Sequence, residues 1–239
     1  PETLSDALID LLANHPRVVP YVDMPLQHAA DGMLRRMRRG HGGSRLRRVV
    51  ERLRSSVPNL TFRTEFIVGH PGETAEEFDE LVDFIKWAEF DRVGFFQYSD
   101  EESSRSFGFE GKVPSRTAAS RLKKLATVQR AISKKKTAAL VGRELHVLVE
   151  GPSEEHELVM TARHAGQAPE VDGVVYLSGG EAHPGQMRRV RVTQASDYDV
   201  VGELEDDGDP HAAPPTKSAP RSPVRLRVLA TDGRGRQLG

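Results

Sequence analysis

The stretch TFRTEFIVGHPGETAEE, from Thr61 to Glu77, decides how this chain folds. It predicts a strand that runs directly into a glycine-proline turn and then into a helix whose start is capped by Thr74 and Glu77. Successive side chains of a strand point to opposite faces, so Arg63 and Glu65 share one face. Parallel strands covered by helices are normally apolar on both faces. Two charges on an inner face carry a desolvation cost unless they pair or bind a polar ligand, which indicates a site.

Elements of the same kind lie on either side of this stretch. Residues 18–28 (VVPYVDMPLQH) and 92–99 (RVGFFQYS) are predicted as strands, and residues 4–14, 44–53 and 115–139 show helical periodicity. Strands and helices that alternate at this spacing indicate right-handed βαβ units and an α/β fold with a parallel sheet. Three such units are too few to close an eight-stranded barrel, so we expect half of a (β/α) barrel.

The periodicity also predicts which helical residues are buried. In the first helix we expect Leu4, Leu8 and Leu11 to form the buried stripe, and we expect Ser44 to cap the helix that follows it. In the long helix at 115–139 the predicted inward residues are Leu122, Leu125, Val128, Ala131 and Ile132.

The pattern changes after residue 143. Residues 144–204 contain five short β-like runs that are separated by clusters of Gly, Pro, Asp and Ser. Such runs predict a small antiparallel β-barrel of the oligonucleotide-binding (OB) kind. Residues 205–239 begin with a proline-rich segment of low complexity, which predicts a disordered tail. We therefore divide the chain into a partial barrel at 1–140, a second barrel at 141–204 and the tail at 205–239.

Composition limits the chemistry that this chain performs by itself. It contains no cysteine, which excludes thiolate metal sites built from this chain alone. Residues 1–140 hold 23 Lys and Arg against 19 Asp and Glu, whereas residues 141–204 hold 5 against 11. With no apolar run of membrane-spanning length and no signal peptide, the sequence predicts a cytoplasmic protein. Because it begins with Pro1, we expect a piece of a longer chain.

The order of the motifs resembles that of a known family. YVDMPLQH (21–28), RTEFIVGHPGET (63–74) and VGFFQYSDEE (93–102), followed by a small terminal barrel that resembles a TRAM domain, are similar to the radical-SAM methylthiotransferases. The resemblance is strongest to the RimO type, which thiomethylates an aspartate of ribosomal protein S twelve. It implies S-adenosylmethionine and four-iron, four-sulfur (4Fe-4S) clusters in the full-length enzyme. Since the cluster-binding CxxxCxxC loop is absent, it implies an inactive C-terminal fragment here.

The resemblance also implies which residues bind the cofactor. In this family a strand with an Ile-x-Gly pattern lies against the adenine, and that pattern is Ile67 and Gly69 here; a glycine allows a planar ligand to approach the backbone. Arg63 is expected to meet the carboxylate of S-adenosylmethionine, because a guanidinium matches a carboxylate. Gln27 is expected to bond the ribose or amide groups. The wider family has Gly where this chain has Glu65. The resemblance places no catalytic residue and no metal ligand in this chain.

Structural explanations stand beside these assignments. The two charges of the strand at 61–68 are also explained by an ion pair, with each other or with a neighbour, that fills the barrel interior. Residues 69–72 are also explained as a tight strand-to-helix turn. The histidines match no common ligand spacing, so turn or core positions are expected for His28, His41 and His70.

The acidic second barrel favours one branch of the family. Neutralisation of phosphates supplies most nucleic-acid affinity, so residues 141–204 are expected to repel RNA and to attract a basic ribosomal protein such as S twelve. The sequence PLQH at Pro25–His28 fits the same branch. The other expected partner is the missing N-terminal half of the enzyme. Three alternatives stay open: a tRNA methylthiotransferase, a non-catalytic binding protein that uses only the acidic barrel, and an unrelated metal-dependent barrel hydrolase that uses the histidines.

Overall fold

The computed structural model of this chain describes residues 4–154 and 158–205. The chain divides into two compact units, Pro1–Ser133 and Lys134–Gly239. The predicted disordered tail lies outside the described residues, apart from Glu205. Within the described ranges, no helix is both long enough and apolar enough to cross a membrane.

The first unit is built around a small parallel sheet. Its three strands lie in the order β1-β2-β3, and both neighbouring pairs are parallel. The strands are β1 (Tyr21–Asp23), β2 (Thr61–Val68) and β3 (Arg92–Gln97). The helices are α1 (Asp6–Asn14), α2 (Asp31–Arg36), α3 (Gly43–Ser56), α4 (Ala75–Ala88) and α5 (Ser115–Ala138), with a short 3₁₀ helix at Arg105–Gly108. This confirms the predicted partial (β/α) barrel. The residues of α5 after Ser133 belong to the second unit.

Strand β2 separates an apolar layer from a polar face, as its alternation predicts. Phe62, Phe66 and Val68 are buried among the helices, whereas Arg63 and the other residues of the opposite face stay partly accessible. The helix that follows begins at the predicted capping box, in which the side chain of Thr74 and that of Glu77 each accept a backbone N–H. The predicted strand, turn and helix are therefore confirmed in order.

Two predicted elements differ at their ends. The strand predicted at 18–28 is paired only over Tyr21–Asp23, because Pro20 and Pro25 have no N–H to donate, and the chain rejoins the sheet at Gln27. The predicted cap at Ser44 is wrong. Helix α3 is capped by Gly42, and the N–H of Gly43 donates to a carboxylate oxygen of Asp31 at 2.6 Å.

Two predicted buried faces are also displaced. Leu8 and Leu11 of α1 are exposed, whereas Ile9 is buried; the face that packs on the core is shifted by one residue. In α5 the predicted inward residue Ala131 is exposed. Polar Gln129 is buried instead, and its side-chain amide donates to the Phe90 carbonyl at 2.9 Å, which offsets part of the cost of its burial.

The second unit contains a closed five-stranded barrel with the strand order β4-β5-β6-β8-β7. Its strands are β4 (Glu144–Pro152), β5 (Met160–His164), β6 (Val175–Ser178), β7 (Met187–Ala195) and β8 (Val200–Leu204). Small branched side chains fill its interior, and Gly202 leaves room for Val190, whose side chain a Cβ at 202 would meet at 2.8 Å. The small OB-like barrel is confirmed. It departs from a purely antiparallel barrel in one pair, because β6 and β8 are parallel.

Candidate functional site

A cleft of about 250 Å³ opens at the carboxyl ends of the parallel strands. This end of a helix-covered sheet is where ligands bind in open α/β folds and barrels. The cleft is formed by the loop after β1, the end of α2, the end of β2 and the segment after β3. Its lining residues are Gln27, Arg36, Met37, Arg38, Arg39, Ile67, His70, Tyr98, Arg105, Ser106 and Phe109.

The backbone of Gln27 is held against β2. Its N–H donates to the carbonyl of Glu65 at 2.8 Å, and its own carbonyl accepts the N–H of Ile67 at 2.9 Å. These bonds hold Gln27 in the left-handed region, at φ 71°, which costs a residue other than glycine conformational energy. Gln27 and Ile67, two of the four predicted cofactor residues, therefore line the same cleft.

Arg63 lies on the same sheet face but does not line the cleft. Its guanidinium donates to a carboxylate oxygen of Asp23 at 2.6 Å and lies 3.1 Å from one of Glu65. Burial lowers the pKa of Arg63, but the two carboxylates outweigh burial and raise that pKa overall. The structure thus contains the ion pair that the sequence offered as an alternative, and the contact of Arg63 with a cofactor carboxylate stays a prediction.

Gly69 lies at the turn after β2 and has structural reasons to be glycine. Its φ is 79°, and a Cβ at this position would come 2.7 Å from the Cβ of Ala118 on α5. Its N–H donates to Glu73 at 2.5 Å. Gly69 lines a second cleft of about 180 Å³ and not the cleft of Gln27 and Ile67. The fourth predicted residue is thereby set apart from the first two.

A buried network around Glu73 was missed by the sequence analysis. His28 accepts the Ala30 N–H at Nδ1, so its Nε2 carries the proton and donates to Glu73 at 3.3 Å. Arg121 of α5 donates to the other carboxylate oxygen at 2.8 Å. Burial raises the pKa of Glu73, but His28, the Gly69 N–H and Arg121 outweigh it and lower the pKa below the ordinary glutamate value. The sequence shows that Glu73 follows Gly69 by four residues. It does not show that α5 brings Arg121 to the Glu73 carboxylate.

His70 faces the cleft as a neutral ring. Its Nδ1 donates to the Pro71 carbonyl at 3.0 Å, and its ring meets those of Tyr98 and Phe109 edge-on, with centroids 5.1 and 6.2 Å away. Burial lowers its pKa below the ordinary histidine value. Among residues 4–154 and 158–205, no three His, Asp or Glu side chains converge as metal ligands. The histidine-based hydrolase alternative thus gains no support there.

The cleft is also strongly basic, which the sequence analysis did not anticipate. Four of its lining residues are arginines, Arg36, Arg38, Arg39 and Arg105, and no lining residue is acidic. The run RRMRRG at 35–40 indicated a local concentration of positive charge, but the sequence alone did not place Arg105 beside that run.

Comparisons with known proteins agree with the two units. Residues 1–85 match the radical SAM superfamily, and residues 141–204 match the TRAM domain. The chain is 69% identical to the ribosomal protein uS12 methylthiotransferase RimO of Sorangium cellulosum over 244 residues, which cover 99% of this chain and 50% of that protein. The proteins of the same name from Solibacter usitatus and Koribacter versatilis are 45% and 46% identical, covering 94% and 85% of this chain and 47% and 41% of their own. The chain spans about half the length of these curated relatives.

Proposed function

Because this chain belongs to the radical-SAM methylthiotransferase family, RimO type, and spans about half the length of its relatives, we propose that it is the C-terminal part of a ribosomal protein uS12 methylthiotransferase. In this proposal it binds the nucleoside of S-adenosylmethionine and positions the acceptor protein. The observation that carries the proposal is the cleft at the carboxyl ends of the strands, which Gln27 and Ile67 both line.

The residues of the cleft fit a nucleoside. Ile67 offers an apolar surface for a base, and the amide of Gln27 offers both a donor and an acceptor for ribose hydroxyls. In the proposal Arg63 binds the carboxylate of S-adenosylmethionine, for which the ligand must compete with Asp23 and Glu65. The backbone of Gly69 lies against the adenine base. S-adenosylmethionine supplies the radical chemistry of this family when it is bound. This chain contributes binding and orientation.

The same residues do not fit an iron-sulfur cluster. Such clusters are held by cysteine thiolates, and the chain contains none. We therefore assign no step through a cluster to these residues, and we expect the chain alone to be inactive in methylthio transfer. The proposal includes the division of the chain into a partial barrel at 1–140, a TRAM barrel at 141–204 and a tail at 205–239. It also includes a cytoplasmic location, because that is where the enzyme would encounter ribosomal proteins.

Ion pairs within the second barrel support a basic protein as its partner. Arg163 lies 2.8 Å from Glu150, and Arg191 lies 2.5 Å from Glu144 and 2.7 Å from Glu205. These carboxylates neutralise positive charges that phosphates would otherwise use, so the net negative charge of 141–204 is expected to repel RNA. A basic ribosomal protein has the complementary charge.

A chimera tests the proposal. The half of the Sorangium cellulosum relative that this chain matches is replaced by this chain, and the product is incubated with uS12 or with tRNA. With S-adenosylmethionine, a sulfide source and a low-potential reductant supplied under anaerobic conditions, we expect mass spectrometry to detect the methylthio group on uS12 and none on tRNA. Modification of tRNA would establish the other branch of the family. A chimera with intact clusters that modifies neither would overturn the proposal and leave the non-catalytic binding protein as the better reading.

A further inference from the structure

Three guanidinium groups of the cleft have no partner within the described part of the chain. Arg38 and Arg39, which follow α2, and Arg105 of the 3₁₀ helix are exposed, and their side chains make no hydrogen bond or ion pair with residues 4–154 or 158–205. We call these three residues the arginine rim. The remaining arginine of the cleft, Arg36, is paired with Glu77.

Several other basic side chains of the first unit are paired with carboxylates. The pairs include Arg52 with Asp6, Lys112 with Asp100, Arg121 with Glu73 and Lys124 with Asp79. Three uncompensated positive charges around one cleft without any acidic lining residue create a local positive potential. An anion bound in the cleft offsets the repulsion among the three guanidinium groups, so the arrangement favours a ligand with negative charge.

The backbone that presents the rim is fixed before any ligand arrives. The N–H of Arg38 donates to the Arg35 carbonyl at 3.0 Å, and that of Arg39 donates to the Leu34 carbonyl at 2.8 Å. Arg38 is held at φ 54°, and Gln27 across the cleft lining is held at φ 71°. For Arg38 this is the left-handed position at which helices commonly end, so the two hydrogen bonds fix the end of α2 and with it the backbone of Arg38 and Arg39.

We propose that the arginine rim binds the carboxylate of an acidic side chain in the polypeptide on which the enzyme acts; this rests on the function proposed above. A guanidinium fork matches a carboxylate with two parallel hydrogen bonds. Met37, Tyr98 and Phe109 give the cleft apolar and aromatic walls for the residues beside that side chain. The excess of Asp and Glu over Lys and Arg in residues 141–204 disfavours an RNA ligand.

The rim also discriminates between an acid and its amide. The guanidinium groups of the rim offer only hydrogen-bond donors, and a carboxylate offers only acceptors. An asparagine in the same place turns an NH₂ group toward these donors, which leaves like groups facing one another. Aspartate is therefore selected over asparagine both by attraction of the right ligand and by rejection of the wrong one.

The test compares two labelled peptides that are neutral except for one central residue, Asp in the first and Asn in the second. Their affinity for the 239-residue chain is measured by fluorescence anisotropy. We expect the chain to prefer the Asp peptide by about tenfold or more, the range of a charge-assisted bond. Arg38→Gln and Arg105→Gln are expected to abolish the preference. Arg35→Gln removes the same charge from an exposed position of α2 outside the cleft and is expected to preserve it.

Three results would overturn the proposal: no preference in the unchanged chain, an equal loss with Arg35→Gln, or tighter binding of a short RNA that the rim variants weaken. A fourth arm uses S-adenosylhomocysteine and 5′-methylthioadenosine, which differ by an amino-acid group. If the rim variants weaken only the former, the carboxylate is that of the cofactor and the proposal fails, while the proposed function stands. Peptide discrimination without any nucleoside binding would support the rim and contradict the proposed function.

Discussion

The buried carboxylate of Glu73 joins three elements that surround the cleft. It accepts hydrogen bonds from His28 in the loop after β1, from the Gly69 N–H after β2 and from Arg121 on α5. Both the Glu73 and the His28 side chains are fully inaccessible to solvent. Because Gln27 precedes His28, the network also fixes the position of the residue that we expect to bind the ribose.

Replacement of Glu73 by glutamine is expected to destabilise the first unit strongly. Breaking a buried ion pair leaves an uncompensated charge on Arg121 and costs about 3–5 kcal/mol. Urea unfolding at neutral pH measures the loss. Glu110→Gln, at an exposed position without a side-chain partner among the described residues, serves as the control. A loss no larger than that of the control would show that the network does not support the fold.

The buried His70 predicts how stability depends on pH. Its pKa in the folded chain lies below the ordinary value of 6.5, so below pH 6.5 the unfolded chain binds more protons than the folded one. The free energy of unfolding therefore falls as the pH drops through that value. In His70→Asn, whose amide keeps a donor near Nδ1, this loss is expected to be smaller. Unfolding measured from neutral pH to about pH 5 checks the prediction, and equal slopes for both proteins would contradict it.

At the scale of elements, Gly69 sets how closely α5 approaches the end of β2. Gly69→Ala introduces a Cβ 2.7 Å from that of Ala118 at a φ of 79°, and we expect a loss of about 1–3 kcal/mol. In a double-mutant cycle, Gly69→Ala is expected to cost less stability when Ala118 is already replaced by glycine. Ala118→Gly removes the clash between the two Cβ atoms but leaves the backbone strain at residue 69. Gly108→Ala, where a Cβ meets nothing within 4 Å, is the control. Additive losses in the cycle would exclude the clash as the cause.

The elements that the sequence predicted well have local causes. The bounds of β2 and the start of α4 follow from strict alternation and from a capping box, and both were correct. The cap of α3 was wrong because Asp31, twelve residues before Gly43, accepts the Gly43 N–H at the start of the helix in place of Ser44. Likewise, the face of α1 that is buried depends on the contacts of the helix with other elements. Leu8 and Ile9 are adjacent apolar residues, so the helical periodicity did not distinguish which of the two is buried.

The site was predicted in part for the same reason. Gln27 and Ile67 belong to two motifs that the sequence analysis singled out, and the structure brings them to one cleft. The arginine rim combines residues about 66 positions apart in the chain, and the Glu73 network requires Arg121 from a helix that follows after the whole sheet. Such pairings are set by tertiary packing and leave no local pattern in the sequence.

For the molecule as a whole, charge is expected to govern recognition of the acceptor. Binding of uS12 to the 239-residue chain should weaken as salt is raised, because screening removes attraction between exposed charges. The double variant Glu154→Lys and Glu170→Lys, both at exposed positions of the second unit, should weaken it further, mainly through slower association. Surface plasmon resonance measures both effects. Glu110→Lys in the first unit is the control, and an equal loss there would contradict a role for the second barrel.

The most direct test of the account is the affinity of the chimera described above for S-adenosylmethionine, measured by equilibrium dialysis. Gln27→Ala and Ile67→Asp remove the two residues that we expect to bind the nucleoside, and Arg35→Gln serves as the control. We predict that the chimera binds, that each cleft variant weakens binding about tenfold or more with the iron-sulfur spectrum unchanged, and that the control does not. Unchanged affinity in the cleft variants, or no binding by the unaltered chimera, would contradict the claim that this chain forms the nucleoside side of the site.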